Sequence, residues 1–307
     1  MHGRAGQVEI VHVHAGQNRD RDRRYERKLG RAFWLIAAFA GVEVVGAVIG
    51  NSLTLAADAG HMLLDASALG LSWFAMRLSQ RAATNRLTYG YHRFQVLAAF
   101  VNGLALVALC AWIVFEAVGR LRAPEVVLPL PVLTVALVGL VVNVVAYRML
   151  HGTDNLNVRS AALHVLGDLL GSVAAITSAL AVLAFGWRWA DPVLALVVAA
   201  IIGRSAWRVL RDAGHILLEA SPKGLDIDDV QVALTAGVPG VVAVHQVHAW
   251  ALTNERPVLT LHATVEATAD MQSTIERIKA VLKAVFDIHH STVQLERGDC
   301  PDEEPDA

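Results

Sequence analysis

The sequence predicts an α-helical membrane protein that ends in a small α+β domain. Three observations lead to this prediction. The chain is 55% apolar with a mean hydropathy of +0.46; its apolar residues gather into long stretches; and that pattern stops near residue 213. A helix that crosses a bilayer needs about 20 largely apolar residues. The formal net charge of −2 gives no support to nucleic-acid binding.

Six apolar stretches follow one another along the first two thirds of the chain. They cover residues 31–52, 58–80, 94–118, 129–149, 160–184 and 190–210. Each stretch is close to the length of one membrane-crossing helix, so six transmembrane helices are expected within residues 31–212. Only residues 185–190 separate the last two stretches, which predicts a tight hairpin there.

The charges that flank these stretches predict the orientation of the chain in the membrane. Residues 1–30 are polar and rich in arginine, and they lack the apolar core of a signal peptide. Arginine and lysine are also more frequent after the second and fourth stretches than in the connections on the opposite side. Because positively charged loops stay in the cytoplasm, both termini are expected on the cytoplasmic side.

Residues 213–297 have the composition of a soluble domain, and residues 298–307 form an acidic tail. The periodicity of apolar residues predicts five elements in this domain. They are a helix over Asp226–Ala236, strands over Val241–Ala251 and Pro257–Glu266, a helix over Asp270–Phe286 and a strand over Ser291–Glu296. The order αββαβ predicts a small two-layer α+β domain.

Two His-x-x-x-Asp pairs lie inside predicted membrane helices: His61 with Asp65 in the second, and His164 with Asp168 in the fifth. Residues four apart share one face of a helix, so each pair places an imidazole beside a carboxylate. A charge at the bilayer centre costs about 2.5–3.5 kcal/mol, so the aspartates need a partner. Two imidazoles and two carboxylates suit tetrahedral zinc, and cobalt, nickel or cadmium also accept imidazole.

Three functional classes are compatible with a metal held inside the membrane. Metal and protons compete for the same ligands, so the pairs favour a carrier that exchanges one for the other. An intramembrane zinc protease is disfavoured, because the chain has no His-Glu dipeptide and four protein ligands leave no open coordination position. A membrane-anchored sensor, which binds metal without moving it, stays open as an alternative.

Three further polar residues in the predicted spans have less specific interpretations. Asp58 stands one turn before His61 and is interpreted as a helix cap or a vestibule residue. Asn143 is predicted to make a hydrogen bond between helices. Glu43 is ambiguous, and a structural role is favoured for it.

The predicted soluble domain carries His245, His248, His262, His289 and His290. Strand alternation places His262 on the face of Thr260 and Thr264. His245 and His248 are three residues apart and are predicted to point to opposite faces. The density of histidines leaves a second metal site and an ordinary soluble domain as open alternatives.

Several motifs along the chain together match one known family. They are Asp58-Ala-Gly-His61-Met-Leu-Leu-Asp65, Tyr89-Gly-Tyr-His92-Arg93, the segment that runs from Asn155 to Asp168, Val244-His245-Gln-Val-His248-Ala-Trp250, and the strand of His262. In these motifs the chain resembles the cation diffusion facilitator family of zinc transporters. The resemblance implies a proton-coupled metal exporter rather than an enzyme. It also implies a homodimer with six helices per protomer and a metallochaperone-like cytoplasmic domain.

The resemblance also assigns residues to three metal sites. The transport site is implied at His61, Asp65, His164 and Asp168. A site at the membrane–cytoplasm junction is implied at His92 and His289, and a cytoplasmic site at His245, His262, Glu296 and Cys300. The implied partners are zinc or a similar divalent metal, protons and a second copy of the chain. The implied location is a bacterial inner membrane.

Overall fold

A computed structural model describes residues 31, 33–79, 84–150, 156–253, 256–298 and 300. The predicted N-terminal segment and most of the acidic tail lie outside the described residues. Six long helices come first along the described chain. They are α1 (Phe33–Gly50), α2 (Leu53–Ser79), α3 (Arg93–Arg122), α4 (Pro129–Leu150), α5 (Leu156–Phe185) and α6 (Ala190–Leu217).

Among the described residues, five helices are long and apolar enough to cross a membrane, namely α1, α3, α4, α5 and α6. Only 28–33% of the residues in each apolar window are buried inside the chain. Most of their apolar surface therefore faces outward, which suits lipid and would be unfavourable in water. Helix α2 is also long, but it carries Asp58, His61 and Asp65 and is not among these five helices.

The largest differences from the predicted helix ends lie in α2 and α6. Helix α2 begins at Leu53 rather than at residue 58, and α6 continues to Leu217 instead of ending near 210. In α6 the apolar pattern ends early because charged side chains interrupt it without ending the helix. Along the last turns of α6, Arg204, Arg208 and Arg211 lie exposed while the opposite side is buried.

The described chain divides into two compact units. One contains the described residues up to Gly70 together with Asn102–Trp207, and the other contains Leu71–Val101 and the residues from Arg208 onward. In the first unit, Leu53 of α2 packs with residues of α3 and α6, and Leu55 packs with residues of α1, α4 and α5. Helix α2 is therefore enclosed on two sides by the other helices of this unit.

The N-terminus of α2 is capped by Asp191 of α6, whose side chain is fully buried. The Asp191 carboxylate accepts hydrogen bonds from the Leu53 N–H at 2.7 Å and from the Ser52 hydroxyl at 2.6 Å. It thereby satisfies groups that a helix start leaves unpaired. The interpretation of Asp58 as a cap is wrong, because α2 starts five residues earlier and Asp191 caps it. Asp58 itself is buried.

The second unit contains the predicted α+β domain. Its elements are α7 (Ile227–Gly237), β1 (Val241–Ala251), β2 (Pro257–Val265), α8 (Met271–Phe286) and β3 (His290–Glu296). The sheet order is β1-β2-β3, with β1 antiparallel and β3 parallel to β2. Leu234 of α7, Leu259 and Leu261 of β2, and Ile278 and Leu282 of α8 form its fully buried core. This arrangement confirms the predicted αββαβ order.

The register between β1 and β2 corrects the predicted direction of two histidines. His245 lies opposite His262, whereas His248 lies opposite Thr260, so β1 holds one extra residue between these pairs. Gln246 has a left-handed backbone (φ 47°) in this bulge. Because opposed residues share a face of the sheet, His245 and His248 point to the same side. The prediction of opposite faces was wrong, since simple alternation does not hold through a bulge.

Candidate metal sites

Helices α2 and α5 bring together three of the four residues predicted for the transport site. On α2, Nδ1 of His61 lies 3.4 Å from Oδ2 of Asp65. The other ring nitrogen of His61, Nε2, lies 3.9 Å from Oδ1 of Asp168 on α5. His164 lies one turn before Asp168 in α5, but its side chain is outside the described residues. The His61 ring thus stands between carboxylates from two helices.

These three side chains are shielded from solvent to different degrees. The Asp168 side chain is 4% exposed, while those of His61 and Asp65 are 17% and 18% exposed. Two carboxylates in an apolar helix bundle need positive charge close by. A divalent cation between His61 and the aspartates would supply it, and so would protons on the same atoms.

A polar path leads away from this cluster between α2, α4 and α5. A Cβ added at Gly171 of α5 would collide with the Asp58 carboxylate, so this glycine allows Asp58 to approach α5. The Ser172 hydroxyl hydrogen-bonds to Asp58. Nδ2 of Asn143 in α4 donates to Oγ of Ser172 at 3.4 Å. This last bond joins α4 and α5 and confirms the interhelical hydrogen bond predicted for Asn143.

The structure brings all four residues of the predicted cytoplasmic site together. The ligand atoms of His245, His262, Glu296 and Cys300 lie within 4.8 Å of one another. Glu296 is central: Oε2 lies 3.1 Å from Nε2 of His245, and Oε1 lies 3.0 Å from Nδ1 of His262. Sγ of Cys300 lies 3.4 Å from Nδ1 of His262. Two imidazoles, a carboxylate and a thiol are ligands that tetrahedral zinc uses.

The sheet positions this cluster and keeps its carboxylate charged. His245 and His262 face each other across β1 and β2, and Glu296 is the last residue of β3. Burial alone would raise the pKa of Glu296. Hydrogen bonds from Gln294 and Cys300, together with the two histidines, lower that pKa below its ordinary value. The Glu296 side chain is therefore ionised at neutral pH, as a metal ligand must be.

His92 and His289, predicted for the junction site, line one pocket of about 530 Å³ in the second unit. Each imidazole is engaged by another charged side chain. Nη1 of Arg256 donates to Nε2 of His92 at 2.8 Å, and Nε2 of His289 donates to Oδ1 of Asp287 at 2.9 Å. Burial and the Arg256 charge lower the pKa of His92, which keeps this imidazole neutral. Metal binding by both histidines would require Arg256 to move away.

Two residues with clear roles were missed from the sequence. Asp191 lies in the first turn of α6, where an acidic residue marks a helix start but does not reveal that it caps α2. Arg256 lies 164 positions from His92, and no local pattern links the two. Both contacts join residues that are distant in the chain.

Two stretches of the chain match known protein families. Residues 29–218 match the cation efflux transmembrane domain, and residues 222–298 match the cytoplasmic domain of cation efflux proteins. The zinc transporter ZitB of Pectobacterium atrosepticum is 43% identical over 280 residues, which cover 90% of this chain and 87% of that protein. The cadmium, cobalt and zinc/H(+)-K(+) antiporter of Bacillus subtilis is 38% identical over 275 residues, with 86% and 87% covered.

A solved structure also matches the C-terminal region. It is the metal-bound C-terminal domain of the CzcD transporter from Cupriavidus metallidurans. The match has 33% identity and a TM-score of 0.22, and it covers 24% of this chain and 99% of that chain.

The apolar helices make the protein an integral membrane protein. The match to the cation efflux transmembrane domain alone covers more than half of this chain. The chain therefore belongs to the cation diffusion facilitator family, the cation efflux proteins.

Proposed function

We propose that the protein exports zinc from the cytoplasm in exchange for protons. The observation that carries this proposal is the position of His61 between Asp65 and Asp168, where α2 meets α5. These groups bind a divalent metal only when they are deprotonated, so metal and protons exclude each other at the same atoms. A single site that opens alternately to each side then couples the movement of one to the movement of the other.

In this proposal His164 completes the transport site, because it lies one turn before Asp168 on α5. Two imidazoles and two carboxylates match the preferences of tetrahedral zinc, while cadmium, cobalt and nickel also accept imidazole ligands. The names of the ZitB and Bacillus relatives support zinc as the cargo. Helix α2 would be the sixth span, with its polar residues turned toward the other helices.

We further propose that the protein is a homodimer in the bacterial inner membrane, with both termini in the cytoplasm. Residues 31–212 would form the membrane domain and residues 213–297 the cytoplasmic domain. The cluster of His245, His262, Glu296 and Cys300 would bind zinc on the cytoplasmic side. The pocket of His92 and His289 would take metal only in a state in which Arg256 has left His92.

Zinc flux into sealed proteoliposomes tests the transport proposal. With the cytoplasmic side facing out, an outward-directed proton gradient should accelerate zinc uptake, because protons leaving the lumen exchange for zinc. Vesicles with equal pH on both sides and protein-free vesicles serve as controls, and a panel of zinc, cadmium, cobalt and nickel ranks the cargo. Metal binding without any flux would favour the membrane-anchored sensor and would refute the exporter.

The cytoplasmic site makes a separate prediction. In a chain whose transport site is disabled by Asp168→Ala, Glu296→Gln is expected to weaken zinc binding more than about 10-fold, because it removes the charged central ligand. Calorimetric titration of the full-length protein in detergent measures this affinity. Glu266→Gln is the matched control, since Glu266 is an exposed carboxylate just after β2. Equal zinc affinity in the two variants would rule out Glu296 as a ligand.

A further inference from the structure

Glu43 of α1 is a buried carboxylate that the proposed transport site does not use. Its side chain has no solvent exposure. Neither of its carboxylate oxygens has a hydrogen-bond partner among the described residues. An ionised carboxylate in that situation is strongly unfavourable, because it loses hydration and gains no compensating contact. The side chain must therefore carry a proton or hold a cation.

Helix α4 provides the space into which this carboxylate fits. A Cβ added at Gly139 would lie 2.8 Å from Oε1 of Glu43 and 2.8 Å from the ring of Phe39. A larger residue at this position would force Glu43 or Phe39 to shift. Asn143, one turn further along α4, is also fully buried, and its Oδ1 has no partner among the described residues.

Polar groups continue from α4 to the neighbourhood of the transport site. Asn143 donates to Ser172, and Ser172 hydrogen-bonds to the buried Asp58. Asp58 stands three residues before His61 on α2, and Ser172 stands four residues after Asp168 on α5. Both are displaced from the transport site in the same direction, toward the start of α2 and the end of α5. The displacement is about one helical turn, roughly 5 Å.

The charges around Glu43 favour a proton over a fixed ion pair. The ionisable groups that act on it are Asp58 of α2 and Asp168 of α5, and both are acidic. Gly139 and Asn143, which α4 contributes, do not titrate. Like charges disfavour simultaneous ionisation, so these acidic neighbours favour a proton on one of the carboxylates. A cation that binds beside Asp168 reduces this repulsion and favours loss of that proton.

The buried carboxylate of Asp191 provides a contrast within the same unit. It is as buried as Glu43, but it accepts hydrogen bonds from Ser52, Leu53 and Ser178. These donors satisfy its carboxylate oxygens, so Asp191 has a structural role. Glu43 has none of these donors. A buried charge that receives no hydrogen bond destabilises the fold, so a structural role does not explain Glu43.

We propose that Glu43 is a proton-binding residue of the exchange cycle, separate from the metal ligands. The inference rests on the proposed function, because it names a group that carries a proton for that exchange. Glu43 is protonated while the transport site is free of metal. When metal binds beside Asp168, the proton leaves Glu43, and it returns when the metal is released.

The test counts protons moved per zinc ion in proteoliposomes that contain a pH-sensitive dye. Glu43→Gln keeps the shape of a protonated glutamate but cannot release a proton, so we expect about one proton fewer per zinc and a weaker dependence of flux on the pH gradient. Glu116→Gln is the matched control, because Glu116 is a membrane-level glutamate that is paired with Arg120 at 3.0 Å. This control should keep the wild-type proton count.

A second variant separates a proton-binding role from a packing role. Glu43→Asp retains a titratable group, so exchange should persist with a shifted pH profile, which a packing role would not produce. An unchanged proton count in Glu43→Gln would overturn the inference, and so would an unchanged pH profile in both variants. If zinc flux of the wild type depends on added potassium, and Glu43→Gln loses that dependence but keeps the proton count, then Glu43 binds an alkali cation instead of a proton and the inference is wrong. If the wild-type protein moves zinc without protons, the proposed exchange fails whatever Glu43 does.

Discussion

Alanine at Asp168 is expected to abolish zinc transport while the protein stays inserted in the membrane and dimeric. The Asp168 carboxylate faces His61 across the α2–α5 contact and is nearly fully buried. Four-ligand zinc sites bind with about 10–16 kcal/mol, so loss of one ligand removes roughly 3–4 kcal/mol, a factor of about 100 or more in affinity. Asp65→Ala should have a similar effect, because it removes the neighbouring carboxylate on α2.

Zinc flux in proteoliposomes, normalised to the amount of inserted protein, measures this effect. Asp229→Ala is the matched control, since Asp229 is an exposed aspartate of α7 that lies in the other compact unit. The control should transport zinc like the wild type. Retained flux in both Asp65→Ala and Asp168→Ala would contradict the assignment of the transport site.

Alanine at Asp191 is expected to destabilise the first compact unit by about 4 kcal/mol or more, because it removes three hydrogen bonds to a carboxylate, and such bonds contribute about 1.5–3 kcal/mol each. The change removes the acceptor for the Leu53 N–H and for the hydroxyls of Ser52 and Ser178, all of which are buried. Helix α2 would then retain only its Ser52 cap, although every residue of the transport site is still present. The loss of transport should therefore follow the loss of stability.

Thermal unfolding in detergent, followed at several protein concentrations, checks this prediction. Ser178→Ala is a graded control, because it removes one of the hydrogen bonds and leaves the carboxylate with the others. It should lower the unfolding midpoint by much less than Asp191→Ala. Equal midpoints for the two variants would show that Asp191 does not anchor α2.

Local interactions explain which parts of the fold the sequence predicted correctly. The bounds of β1 and the order of elements in the soluble domain follow from short-range periodicity, and Asp226 and Asp270 cap their helices as acidic residues at a helix start do. Helix α2 was placed less accurately. Its polar residues break the apolar pattern, and its start is capped both by the adjacent Ser52 and by Asp191 of the distant helix α6.

In the candidate sites too, the sequence predicted the local contacts, and the tertiary structure was needed for the distant ones. The His61–Asp65 pair is a one-turn contact, so spacing alone predicted that these two side chains are neighbours. Family resemblance indicated the four residues of the cytoplasmic cluster, but only the sheet register shows how His245 reaches His262. The bulge at Gln246, which turns His248 to the same face, has no clear signature in the strand pattern.

The sequence by itself determined the series of apolar helices, the αββαβ order and the chemistry of the two His-x-x-x-Asp pairs. These features depend on side chains within a few positions of one another, whose periodicity is visible along the chain. Only the tertiary structure decided that Asp191 caps α2, that Arg256 engages His92, and that Glu43 is buried against Gly139 with no hydrogen-bond partner in the described part of the chain. Each of these contacts joins residues far apart in sequence, and helix packing determines which distant side chains meet.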